Sequence, residues 1–199
     1  AVVEQRGMGE RVSLVCDREQ PARSCRQLSL AYSMQGRSLL GERCWDGLCA
    51  MQYLRAQSGL VSGKLGCMGH SGGGATALWL SAVETRIGAV LVSGYFSSFR
   101  AALLQREHCA CNYVAGILPR MEMGDLAALL APRLFTALNG AQDELFPLAA
   151  ARSEFEKVRG AYALMQAAEQ AELQVHPGGH GIDQAYCLSW FNDRFKPCV

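Results

Sequence analysis

The feature that most narrows the folds open to this chain is the pentapeptide Gly69-His70-Ser71-Gly72-Gly73, set between two segments of opposite character. Lys64–Met68 before it reads as a strand, and Ala75-Thr76-Ala77-Leu78-Trp79-Leu80 after it reads as a helix. A strand that turns into a helix within so few residues needs a sharp, strained backbone. Glycines on either side of the serine remove the Cβ atoms that would collide there. Such a turn lifts the Ser71 hydroxyl clear of the chain and brings the helix N-terminus up behind it. In a chain with 21 glycines the bare pattern also arises by chance, with Ser71 merely capping the helix. The strand-then-helix context favours a nucleophile.

A serine hydroxyl is almost wholly protonated at neutral pH, so it attacks a carbonyl only with a base to take its proton. The order expected after such a turn is serine, acid, histidine, with the last two in turns just past strands. Asp143 meets this requirement beyond the strand-like Leu134–Leu138, closed by Asn139-Gly140; Glu144 beside it is the rival, and a helix cap the alternative role for Asp143. The four histidines are His70, His108, His176 and His180. His180 lies in the turn Pro177-Gly178-Gly179-His180-Gly181 directly after the last strand-like run, Glu172–Val175. His176 ends that run, and the side chain of His70 diverges from that of its neighbour Ser71. The expected set is therefore Ser71, Asp143 and His180, with the Gly72 N–H donating to the oxyanion.

The remainder of the chain supports a sheet covered by helices. Apolar runs alternate with segments of helical period, which places the chain in the α/β class, a mostly parallel sheet with helices on both faces. Strands are expected at Ala1–Val3, Lys64–Gly69, Ile87–Ser93, Leu134–Leu138 and Glu172–Val175. Helices are expected at Gly41–Arg55, Ala75–Val83, Gly124–Leu130, Pro147–Ala168 and Asp183–Arg194, with an irregular excursion over Gly94–Met123. At 199 residues, with half of them hydrophobic, residues 1–199 read as one domain. A net charge of +1 with no basic face argues against nucleic acid. The apolar runs are too short to span a membrane. Residues 1–6 lack a signal-peptide pattern, and nine cysteines, an odd number, favour reduced thiols; both point to a cytoplasmic protein. His108-Cys109-x-Cys111 lacks the usual metal-ligand spacing and a second ligand pair, so packing is the expected role of these cysteines and no metal is expected.

The quoted residues resemble the α/β-hydrolase superfamily, and within it the acetyl xylan esterase-like branch close to the dienelactone hydrolases. The resemblance extends to Glu4-Gln5-Arg6-Gly7-Met8-Gly9-Glu10-Arg11, Gly36–Asp46, Ser93-Gly94-Tyr95-Phe96, Cys109-Ala110-Cys111-Asn112-Tyr113, Met123–Ala127 and Gly178-Gly179-His180, nearly the whole chain. It implies an α/β-hydrolase fold and hydrolysis of small-molecule carboxylic esters with small acyl groups, acetylated carbohydrates among them, without metal or organic cofactor. It also implies pocket walls from Tyr95, Phe96 and the excursion Arg100–Leu118. Members of that branch usually carry about three strands before the segment where this chain starts, and the loop after the third gives a second oxyanion donor. Against that pattern the chain is N-terminally short, and the strand edges so exposed lead us to expect a homo-oligomer. A serine peptidase of the prolyl-oligopeptidase type shares the turn and triad but usually adds a further domain. A non-catalytic binding protein on a shortened hydrolase fold is the third alternative.

Overall fold

The structure, a computed structural model, describes residues 1–13, 21–57 and 65–194. Four strands form its sheet: β1 (Leu65–His70), β2 (Ile87–Ser93), β3 (Leu134–Gly140) and β4 (Ala171–His176). They lie in sequence order, all parallel. Parallel neighbours need a crossover between them. These are supplied by α3 (Gly72–Val83) between β1 and β2, α4 (Met123–Ala128) between β2 and β3, and α5 (Leu148–Leu164) between β3 and β4. Before the sheet come α1 (Pro21–Ser33) and α2 (Leu39–Ala56); after it comes α6 (Gln184–Asp193).

Alternation along the central strands divides the core between the two faces. On β2, Val90 and Val92 pack with α3, α4 and α5 residues such as Leu78, Leu126 and Phe155. Ala89 and Leu91 point the other way and meet Trp190 and Cys187 of α6, together with Leu134 and Leu138 of β3. The Trp190 Nε1–H donates to the Thr136 hydroxyl at 2.8 Å, so the one polar edge of this large ring is satisfied inside the core. Strands buried on both sides read as continuous apolar runs, which is why Ile87–Ser93 is legible as a central strand; Leu134–Leu138, expected only as a strand, is central as well.

Several elements differ from expectation. Ala1–Val3 is exposed and joins no strand, although it reads as β-forming. The following residues are instead tied to α2 by charge: Arg6 meets Asp46 at 2.6 Å and Glu42 at 3.1 Å, and Arg11 meets Asp46 at 2.9 Å. Burial alone would raise the Asp46 carboxyl, but Arg6 and Arg11 hold it below the ordinary carboxylate value. α1 was not anticipated, although Cys25, Leu28 and Tyr32 keep a helical i, i+3, i+7 spacing along one face of it. Lys64, at the start of the strand expected over Lys64–Gly69, lies outside the described residues. The excursion between β2 and α4 is irregular as expected, with one π-helical turn at Arg100–Leu104 and one 3-10 turn at Ala110–Asn112. Among the described residues, no helix is long and apolar enough to cross a membrane.

Candidate active site

β1 ends at His70 and α3 begins at Gly72, leaving Ser71 alone to make the turn, at φ 53° and ψ −119°. A non-glycine residue held there is strained, at a cost of order 1–3 kcal/mol. The surroundings enforce it. The Ser71 N–H donates to the Ser93 carbonyl at 2.8 Å, and the Ser71 carbonyl accepts from the Ala75 N–H at 2.9 Å. Gly69 is required by the same turn, because a Cβ on it would sit 2.0 Å from the Gly73 carbonyl oxygen. Gly72 opens α3, so its N–H belongs to the first turn, whose donors have no partner within the helix.

Three chain-distant side chains converge on this turn. His180 Nε2 lies 2.9 Å from Ser71 Oγ, and His180 Nδ1 lies 2.9 Å from Asp143 Oδ2. An ionised carboxylate only accepts, so the proton on the ring belongs on Nδ1, and Nε2 is left to accept from the serine hydroxyl. The Asp143 side chain is fully buried. Its second oxygen accepts from the Leu145 and Phe146 N–H groups at 2.8 and 3.0 Å, which fixes the carboxylate as it leaves β3. The turn that carries His180 is laced to the same strand end: Ala141 N–H donates to the His176 carbonyl and Gln142 N–H to the Gly178 carbonyl. Acid and base are thus held by one piece of local backbone.

The rivals fall elsewhere. Glu144 is exposed. His176 Nδ1 accepts from the Gly178 N–H at 3.2 Å. The His70 ring is 5.2 Å from that of His180, but its Nδ1 is engaged with the Ser93 hydroxyl at 3.0 Å. Burial, and then the neighbouring His180, hold His70 below the ordinary histidine value, and burial does the same to His108. Both are neutral near pH 7, so neither places a charge beside His180.

Tyr95 and Phe96 do not line the site as the family pattern implied. Both side chains are completely buried in the core; Tyr95 packs against Phe146 with the rings tilted by 51°, and Phe96 meets Phe135 and Phe155 edge-on. They follow β2 directly, and the chain turns them inward at Gly94, where φ is 58°. Phe146 is the residue that reaches His180, its ring 5.7 Å away and nearly parallel. Gln5 was also missed. Its Nε2 donates to the Gly72 carbonyl and to the Thr76 hydroxyl, both at 3.1 Å, pinning the N-terminal segment to the first turn of α3. Only its place in the Glu4–Arg11 resemblance hinted at it. A cavity of about 1320 Å³ opens between α1 and the excursion, walled by Leu30, Leu39, Phe99, Leu103 and Tyr113. His108 joins that wall to the site, since its ring packs 4.9 Å from Phe146.

Comparison with known proteins agrees with this arrangement at the level of fold. No family model matches the chain. A curated relative, "Putative hydrolase YtaP" of Bacillus subtilis (strain 168), is 25% identical over 151 residues, covering 74% of this chain and 50% of that protein. Among solved structures, a carbohydrate esterase family 15 glucuronoyl esterase from Caldicellulosiruptor kristjansonii superposes with a TM-score of 0.64 at 16% identity. That match covers 80% of this chain and 51% of the esterase. Methylesterase BT1017 gives 0.67 at 19% identity, covering 98% of this chain and 41% of the other. The chain thus spans about half the length of the proteins it matches. With its four parallel strands, covering helices and strand-turn-helix at Ser71, this chain has the α/β-hydrolase fold.

Proposed function

We propose that this chain hydrolyses carboxylic esters through an acyl intermediate on Ser71. The observation that carries the reading is the unbroken run Ser71 Oγ, His180 Nε2, His180 Nδ1, Asp143 Oδ2, with both hydrogen bonds at 2.9 Å. His180 takes the hydroxyl proton as Ser71 Oγ bonds to the ester carbonyl carbon. The carbonyl oxygen becomes an oxyanion facing the Gly72 N–H and the positive end of α3. Asp143 stabilises the imidazolium without taking its proton. The imidazolium then gives that proton to the departing alcohol as the C–O bond breaks, leaving acyl-Ser71. Water, deprotonated by His180, attacks the acyl carbon; the acyl C–Oγ bond breaks, the imidazolium returns its proton to Ser71 Oγ, and the acid leaves.

The proteins that share the fold support a substrate class for this reading. Structures similar to this chain are named as a glucuronoyl esterase and a methylesterase. We assign the chain to small carboxylic esters, esters of carbohydrates foremost. Ser71→Ala is the decisive variant. Hydrolysis of p-nitrophenyl acetate is expected to fall by on the order of 10⁴–10⁶-fold, with loss of fluorophosphonate labelling and no loss of fold. Retention of wild-type turnover by the Ser71→Ala protein would remove the basis of the assignment.

A further inference from the structure

Cys25, Cys109 and Cys111 meet at one point although 84 residues separate the first from the second. Cys25 comes from the buried face of α1, and the other two from the 3-10 turn in the excursion after β2. Their three Sγ atoms all lie within 4.8 Å of one another; Cys109 Sγ is 2.6 Å from Cys25 Sγ, so these two must part to the roughly 3.8 Å that a tetrahedral zinc with bonds of about 2.3 Å requires. Cys25 and Cys111 are 0% and 5% exposed and packed among Leu28, Tyr32 and Leu39. Three thiols that merely fill space have no need to point at a common centre.

The charge around them supplies a second, independent observation. Arg43 is 2% exposed, and a buried guanidinium needs an anion. Its Nε donates to the Arg6 carbonyl and its Nη2 points to Cys25 Sγ at 3.7 Å. Among the described residues, no carboxylate lies within ion-pair distance of it. This positive charge beside the cluster favours thiolate, against the raising effects of Cys109 and burial on the Cys25 thiol, and thiolate is the form in which cysteine binds metal.

We infer that Cys25, Cys109 and Cys111 form a zinc site that clamps α1 to the excursion. Three thiolates and one Zn²⁺ carry a net charge of −1, which Arg43 neutralises. Thiolate sulfur selects soft ions of this kind. Three protein ligands leave a fourth tetrahedral position for water, and Cys109 stands at the wall of the large cavity, where water has access. His108 is not a ligand: its Nε2 is engaged with the Leu145 carbonyl at 3.3 Å and its ring lies on Phe146. The sequence hid the site because Cys109-x-Cys111 has no ligand pair nearby; the third ligand arrives only when α1 packs. Binding from three thiols releases up to three protons and creates no change of oxidation state. The inference stands apart from the esterase reading, since none of its residues belongs to the Ser71 set.

The test is zinc stoichiometry in the full chain. Fully reduced protein is loaded with ZnSO₄ under a non-thiol reductant, desalted, and assayed by elemental mass spectrometry. The wild type is expected to keep about one equivalent, Cys187→Ser also about one, and Cys25→Ser, Cys109→Ser and Cys111→Ser less than a tenth. Should the variants fold poorly, Co²⁺ added to the wild type answers the same question. A thiolate-to-cobalt charge-transfer band in the near ultraviolet, abolished by one equivalent of Zn²⁺, is expected. No zinc retained by the reduced wild type, or a cobalt spectrum without thiolate bands, overturns the inference. So does a protein 2 Da lighter with a Cys25–Cys109 disulfide that persists when zinc is offered under reductant.

Discussion

Gly140 is the point where the site is most exposed to a small, remote change. It is the last residue of β3, and the Gly178-Gly179-His180 turn lies directly across it. A Cβ at Gly140 would stand 2.2 Å from the Gly179 carbonyl oxygen and 2.6 Å from that of Gly178. Both obstacles are backbone, so no side chain can swing aside. Restoring even a tight contact of 3.0 Å means opening the gap between strand and turn by about 0.8 Å. The turn is held to β3 by the Ala141 and Gln142 N–H bonds to His176 and Gly178, and those must stretch with it. His180 rides on the displaced side and Asp143 on the fixed one. Their 2.9 Å contact, and that of His180 with Ser71, would lengthen toward 3.7 Å, beyond hydrogen-bonding range. A misplacement of about 1 Å in a catalytic group costs on the order of 10²-fold in rate. Gly140→Ala is therefore expected to lower kcat for p-nitrophenyl acetate by roughly 100-fold, with KM little changed and the thermal transition still cooperative. A folded Gly140→Ala protein within threefold of wild-type kcat would refute the argument, because the turn would then have moved without disturbing His180.

Asp143→Asn leaves the shape intact but invites the wrong tautomer of His180, and a fall in kcat of on the order of 10³–10⁴-fold is expected in the same ester assay. Gln5→Ala removes two hydrogen bonds to the first turn of α3, and a three- to tenfold drop in fluorophosphonate labelling rate is expected, from about 1 kcal/mol of lost anchoring; an unchanged rate would make Gln5 a bystander. His70 and His108 both sit below the ordinary histidine value of 6.5, so folding favours their neutral forms. Their contribution to stability is complete above pH 6.5 and is lost as pH falls below it, toward their lowered folded values. The urea midpoint is expected to drop between about pH 7.5 and pH 5.5, and a midpoint that rises over that interval would contradict the burial argument.

The strand-turn-helix at Ser71 was legible in the sequence because its requirements are local: two glycines, a strand before and a helix after. The same holds for Asp143 and His180, each fixed by its position just beyond a strand. What escaped was set by packing between distant segments. Ala1–Val3 has β-forming residues, yet the neighbouring Arg6 and Arg11 bind Glu42 and Asp46 of α2 and hold the segment there. Tyr95 and Phe96 were placed by analogy of position, and only the left-handed backbone at Gly94 reveals that they turn inward. Gln5 and the meeting of Cys25 with Cys109 depend on contacts that no local pattern encodes.

The strained backbone at Ser71 sets stability against chemistry at a single codon. Glycine adopts such a conformation without penalty, so a serine-to-glycine change there would relieve roughly 1–3 kcal/mol while deleting the hydroxyl. The sturdier chain that results would be an inert one.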